Sequence, residues 1–311
     1  MYLFAKLGRA AVTGATTLKK LLALAATALL IPASGWAQAP DTPEATAPAP
    51  RVLVVVTNHA DYPSRSDKTG LWLTELTHFW DVLHDAGIPM DIASPAGGNT
   101  PLDERSMSGF YLDDAARAHL ADPTFMEQLA HTKRAADVDP TRYAAIYFTG
   151  GHGTMWDFRD APGLKRVAEA IYQHGGIVSA VCHGNAALIQ LRAPDGKPLI
   201  DGRRVTGFSN AEERLSGTRD QVPFRLQDDM VQAGAKYESA LLPFTPYAVT
   251  DGRLVTGQNP QSSRAVAIRV LALLEPQSDS HVSRYCLRAG NACRAARPSL
   301  TAAASSPSPS Q

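Results

Sequence analysis

The sequence predicts an α/β fold, a doubly wound, mainly parallel sheet with helices on both faces. Three observations predict it. Arg51–Thr57 (RVLVVVT) is a β-branched run suited to a strand buried on both faces. Apolar residues at 72, 73, 76, 79, 80 and 83 keep helical spacing, and Gly87 closes that helix. Strand-like and helix-like segments then alternate along the chain, the pattern of a parallel sheet with helical crossovers.

Taken in order, the first helix covers Leu71–Ala86 and a second strand covers Pro89–Ser94. Residues 96–135 form an insertion rich in Gly, Asp and Ala, with helical patches at 113–120 and 124–133. Tyr143–Thr149 (YAAIYFT) is a strand ending in Gly150-Gly151. Leu164–His174 is a helix, Gly176–Val181 a strand and 184–191 a helix. Arg204–Phe208 and Leu254–Thr256 read as further strands, Leu226–Ala233 and Arg264–Leu274 as helices. The chain has no internal repeat.

Of the 311 residues, 44% are hydrophobic and 19% charged, and the formal net charge is zero. That is a globular composition, and it argues against a basic nucleic-acid binder. The zero hides an asymmetry: residues 40–276 hold 22 basic and 29 acidic side chains, while both ends are basic.

Residues 1–39 read as a secretory signal peptide. Lys19–Lys20 precede the 11-residue apolar run Leu21–Ile31, and Ala37-Gln38-Ala39 gives a cleavage pattern. Cleavage after Ala37 fits as well as after Ala39. The run is shorter than the roughly 20 residues of a spanning helix, so a periplasmic or secreted protein without a stable membrane anchor is expected. Residues 40–50 are a Pro/Ala/Thr linker, 51–276 the α/β domain, and 277–311 a flexible, low-complexity tail. Three cysteines occur. Cys286 and Cys293 either pair to staple the tail or stay as two reduced thiols; Cys182 is the odd one.

Cys182 carries the chemistry. Gly176-Ile-Val-Ser-Ala-Val-Cys182-His183-Gly184 runs from a buried strand through a tight turn into a helix, the geometry of a nucleophile elbow. Ala180 and Gly184 are small enough for the turn. A helix N-terminus would stabilise a thiolate, with pKa values of roughly 3.5–7.5 at such sites. An isolated Cys would more often be structural; the adjacent His and small neighbours favour a nucleophile. Gly150-Gly151-His152-Gly153 follows a strand, where backbone N–H groups either face a developing oxyanion or simply make a tight turn. Glu75 lies among apolar residues on the first helix. Composition alone favours a solvent-facing Glu75, whereas burial would raise its pKa for proton transfer. His78 and His84 are six apart and no H-E-x-x-H or Cys/His spacing occurs, so no catalytic metal is expected.

Several segments in register resemble the ThiJ/PfpI superfamily, with its type 1 glutamine amidotransferase-like, flavodoxin-like α/β/α sandwich. Within it the chain resembles the branch of glutathione-independent glyoxalases (glyoxalase III) and stress-inducible chaperones. The segments are GLWLTELTH at 70–78, GGHGTMWDF at 150–158, AVCHG at 180–184, TGFSNAEE at 206–213, VPF at 222–224 and LVTGQNPQS at 254–262. The resemblance implies Cys182 as nucleophile and His183 as its partner. It implies Glu75 as the acid/base carboxylate near the sulfur and Glu213 as the carboxylate that orients the histidine. Gly151 and His183 would supply oxyanion N–H groups, with His152 beside them on the substrate side. Asn185 stands where proline is common in this branch, and Phe79-Trp80 where proline–aromatic is common.

The activity so implied is conversion of methylglyoxal to lactate without glutathione, by a homodimer that needs no cofactor. Rival expectations are deglycation or amide hydrolysis at the same thiol, and a holdase chaperone with a redox-sensing thiol. A glutamine amidotransferase fits less well, because its Cys and His lie far apart in sequence and its acceptor domain is absent.

Overall fold

The computed structural model describes residues 50–274. β1 (Val52–Val55) leads through a long loop into α1 (Leu73–Asp85) and β2 (Met90–Ser94). Two short helices, α2 (Asp114–Ala121) and α3 (Pro123–Ala130), precede the edge strand β3 (Lys133–Arg134). β4 (Ala145–Phe148), the single turn α4 (Thr154–Asp157), α5 (Pro162–Gln173) and β5 (Ile177–Val181) follow. Beyond a 3₁₀-helix at Cys182–Gln190 come β6 (Arg204–Val205), α6 (Asn210–Leu215), α7 (Leu226–Gln232), β7 (Lys236–Tyr237), β8 (Ala248–Asp251), β9 (Leu254–Gly257) and α8 (Ser263–Leu274).

Seven strands pair in the order β3-β2-β1-β4-β5-β9-β8, and β6 pairs with β7 in a separate ribbon. Only β8 runs antiparallel, against β9. The chain winds outward from β1 to β3, then crosses back to β4 on the other side of β1. That reversal is a topological switch point, where an open α/β sheet leaves a crevice at the carboxyl ends of its strands. β4 and β5 end at that crevice, delivering Gly150 and Cys182 to it.

β1, β4 and β5 are buried at every position, because layers cover both faces. Successive strand side chains point to opposite faces. Tyr147 stacks on Phe79 of α1, with ring centroids 3.6 Å apart. The next residue, Phe148, meets Phe158 on the far side. α1 buries Leu73, Leu76, Phe79, Val82 and Leu83, a stripe at helical spacing. α5 opens on Pro162, whose missing N–H costs nothing in a first turn, and buries Leu164, Val167, Ala168 and Ile171.

The strands and helices expected from the sequence are present, most within a residue or two. Two expected segments differ, and α4, α6, β3, β7 and β8 were not expected. Residues 184–191 belong to no α-helix: a 3₁₀-helix starts at Cys182 itself. Asn185 Nδ2 donates to the Cys182 carbonyl at 3.0 Å and the Phe208 N–H reaches it at 3.4 Å, so that carbonyl is engaged elsewhere than in an α-helical bond. The strand expected at Arg204–Phe208 shortens to β6 and pairs outside the main sheet. β8, a half-buried edge strand, was not anticipated. The leader, residues 40–49, the tail, Cys286 and Cys293 lie outside the described residues.

Gly184 lets the elbow pass beneath β4. A Cβ there would stand 2.3 Å from the Thr149 carbonyl oxygen and 2.5 Å from that of Phe148. Backbone oxygens cannot swing away, so Gly184→Ala is expected to destabilise the fold by at least about 2 kcal/mol. Urea unfolding checks this, and an unchanged midpoint would refute the close approach.

Candidate active site

Cys182 follows directly on β5 and has φ 53°, in the left-handed region. For a residue with a Cβ that conformation costs about 1–2 kcal/mol, and the packed strand and turn enforce it. The sharp turn sets the sulfur against His183, which Glu213 holds from behind. His183 Nδ1 lies 3.3 Å from Sγ, and His183 Nε2 lies 2.8 Å from Glu213 Oε2. Glu213 comes from α6, which a capping box fixes: Ser209 accepts from the Glu212 N–H, and Glu212 reaches back to the Ser209 N–H.

Glu75 sits in the first turn of α1 and is fully buried, against the solvent-facing position that composition favours. Its Oε2 accepts the Gly150 N–H at 2.7 Å. Its Oε1 accepts from no nitrogen or oxygen donor, and the carboxyl contacts the Cys182 thiol. A methyl on Gly150 would lie 2.5 Å from Glu75 Oε2 and 2.9 Å from Cys182 Cβ, so only glycine lets the two groups converge. Burial pushes the Glu75 carboxyl up to about 8, against the opposing pull of the Cys182 contact and the Gly150 N–H.

Burial also pushes the Cys182 thiol well up, and the neighbouring Glu75 adds to it. This corrects the expectation of an acidic thiol. The His183 N–H lowers the thiol, but the sulfur is enclosed and faces a carboxyl group, and those effects win. A sulfur so placed gives up its proton to a base during reaction rather than beforehand.

His152 completes the cluster. Its Nε2 lies 3.0 Å from Glu213 Oε1, and its ring lies 3.9 Å from that of His183, centroid to centroid. The Thr218 hydroxyl donates to the same Glu213 oxygen at 2.6 Å. Burial would raise Glu213, but the two imidazoles outweigh it and hold the carboxylate well below its usual range. Burial, with His183 beside it, pushes His152 down to about 4. Phe208 lies against both rings. Gly151 turns at φ 97°, and a Cβ there would meet the Gly70 carbonyl oxygen at 2.1 Å.

Cys182, His183, Glu213, Glu75, Gly151 and His152 therefore converge, with the His152 side chain turned to Glu213. Sequence spacing gave no hint that His152, His183 and Glu213 would cluster with ligating atoms within 4.8 Å, a donor set of cation-binding type. Each of those atoms is matched in a hydrogen bond. His78 instead pairs with Asp113. Residues missed in the sequence are Thr218, Phe208, Arg105, Asp103 and Tyr62. Of these only Phe208 lies in a segment that carries the family resemblance.

Comparison with known proteins bears on this constellation. A model of the DJ-1/PfpI family matches residues 69–273. The glyoxalase 3 of Candida albicans is 34% identical over 72% of this chain and 98% of its own length. The glutathione-independent glyoxalase HSP31 of Saccharomyces cerevisiae is 33% identical with the same coverage. The crystal structure of glyoxalase III from Candida albicans superposes with a TM-score of 0.68 at 32% identity, covering 73% of this chain and 98% of that one. The Rapid Encystment Protein 24 KDa of Francisella tularensis superposes with a TM-score of 0.70 at 40% identity, covering 73% and 100%.

Proposed function

This chain belongs to the DJ-1/PfpI family, and from that premise we propose that it is a glutathione-independent glyoxalase converting methylglyoxal to lactate. One observation carries the reading: a buried carboxyl group, Glu75, meets the Cys182 thiol across Gly150 while His183 flanks the same sulfur. Relatives matched over nearly their whole length are named glyoxalases, which supports it.

The geometry performs the reaction as follows. The Sγ proton passes to His183 Nδ1 as the sulfur adds to the aldehyde carbon, giving a hemithioacetal. The N–H groups of Gly151 and His183 hold the oxyanion. Glu75, ionised, takes the proton from the former aldehyde carbon and returns it to the ketone carbon. His183 gives its proton to the ketone oxygen, so the ketone becomes a hydroxyl, the sulfur-bearing carbon a thioester, and His183 is neutral again. A water molecule attacks the thioester, its proton leaves through His183, and lactate departs as Sγ regains a proton. With its pKa near 8, Glu75 can both accept and release a proton close to neutral pH.

The exposed side chains of Phe110, Leu241 and Leu242 favour a second reading, a holdase that binds unfolded chains through apolar surface. Incubating the purified protein with methylglyoxal in the absence of glutathione tests both. Lactate is expected to form catalytically. No lactate, together with suppressed aggregation of a denaturing client, would leave the holdase reading in its place.

A further inference from the structure

We propose that Arg105 is a positioning residue for the Cys182–His183 couple and acts through His152 and Glu213. Arg105 Nη2 lies 2.8 Å from His152 Nδ1. A guanidinium only donates, so Nδ1 must accept, and a neutral His152 must carry its proton on Nε2. That Nε2–H faces Glu213 Oε1 at 3.0 Å, where the Thr218 hydroxyl also donates. Oε1 is thereby engaged, and Oε2 accepts the His183 Nε2–H at 2.8 Å. His183, so held, turns its Nδ1 lone pair to the Cys182 sulfur. In the other His152 tautomer, Nε2 would present a lone pair to Oε1. The carboxylate would lose that donor, and the Thr218 hydroxyl, 2.8 Å from His152 Nε2, would be drawn from Oε1 to the ring nitrogen.

Arg105 is itself locked. Asp103, fully buried, accepts from Arg105 Nε at 3.2 Å and from Nη2 at 3.0 Å. The Tyr62 hydroxyl also contacts Nη2. The guanidinium lies over the Tyr62 and Trp72 rings at 5.5 and 5.9 Å. Thr69 donates to Asp103 at 3.0 Å. A continuous chain of contacts thus runs Asp103–Arg105–His152–Glu213–His183–Cys182. The guanidinium's charge adds to the burial that disfavours a second proton on His152.

The kinetic consequence rests on the glyoxalase reading; the tautomer does not. Nitrogen-15 NMR of labelled histidines should find His152 as the Nε2–H tautomer in the parent protein. In Arg105→Met that signature should give way to Nδ1–H or a mixture, with kcat for methylglyoxal falling roughly 10- to 100-fold and KM little changed, as when an outer partner that fixes an imidazole is lost. Arg105→Lys, which keeps one donor, should recover part of the loss. Arg65 also lies over Tyr62, at 5.2 Å, but no contact joins it to His152, so Arg65→Met should keep the parent tautomer and kcat. An Nδ1–H tautomer in the parent protein would overturn the proposal, and so would parent-like kcat in Arg105→Met. If the parent turns over no methylglyoxal, the glyoxalase reading fails while the NMR result still decides the role of Arg105.

Discussion

Cys182→Ala is expected to reduce methylglyoxal conversion to the uncatalysed background, a loss of at least about 10⁴-fold, as when the nucleophile of a covalent mechanism is removed. Glu75 and His183 remain in this variant, but neither has a carbon to work on. Isomerisation needs the hemithioacetal to acidify the C–H bond, and only the sulfur forms it. The fold should survive. Alanine keeps the Cβ that already occupies the left-handed turn at φ 53°. It also removes a thiol that burial and Glu75 hold in its neutral form. Cys182→Ser should fare little better, because a hydroxyl in the same enclosure is harder to deprotonate. Lactate assays on the purified variants, with circular dichroism as the folding check, decide the matter. Turnover above about 1% of the parent rate would exclude the thiol as nucleophile.

How far the site could be read from the sequence depends on where each residue's partners lie. Cys182 was legible because its determinants are local: a buried strand, a small residue before it and a glycine after it. β1, β4 and β5 were legible for the same reason, since burial on both faces demands unbroken apolar runs. Glu75 was not legible from its own segment. Leu73-Thr-Glu75-Leu-Thr reads as amphipathic, and the donor that accommodates the buried carboxyl, the Gly150 N–H, lies 75 positions away. Arg105 sits in an insertion without apolar periodicity, and its partner His152 is 47 positions on. Asn185 departs from the usual proline of this branch, and in the structure its amide ties the Cys182 carbonyl and the Gly257 carbonyl together. That side-chain bond occupies the carbonyl at the start of the 3₁₀-helix. β8 went unread because Ala248–Asp251 is half exposed at a sheet edge, where composition is weakly constrained.

Glu75→Gln should lose turnover by about 10²–10⁴-fold and gain stability at the same time. Glutamine keeps the shape: its carbonyl oxygen can accept the Gly150 N–H and its amide can face the sulfur. It cannot carry a proton from one carbon to the next, so kcat falls while KM stays close to the parent value. The stability gain follows from the sign of the Glu75 shift. Its folded value is about 8 against an ordinary 4.5. Below pH 4.5 the carboxyl is protonated in both folded and unfolded chains, and its contribution to folding is fully present. Between those values the unfolded chain ionises and the folded one does not, so stability falls by about 1.4 kcal/mol per pH unit. At pH 7 the parent is thus about 3 kcal/mol worse off than a chain with a neutral side chain there. Above pH 8 both states ionise and the gap levels off. Urea unfolding of parent and Glu75→Gln between pH 4.5 and 9 should therefore show curves that nearly meet at the acid end and diverge until about pH 8. A gap independent of pH would mean that Glu75 is ionised in the folded protein. Parent-like turnover in the variant would mean that the substrate proton travels by another route.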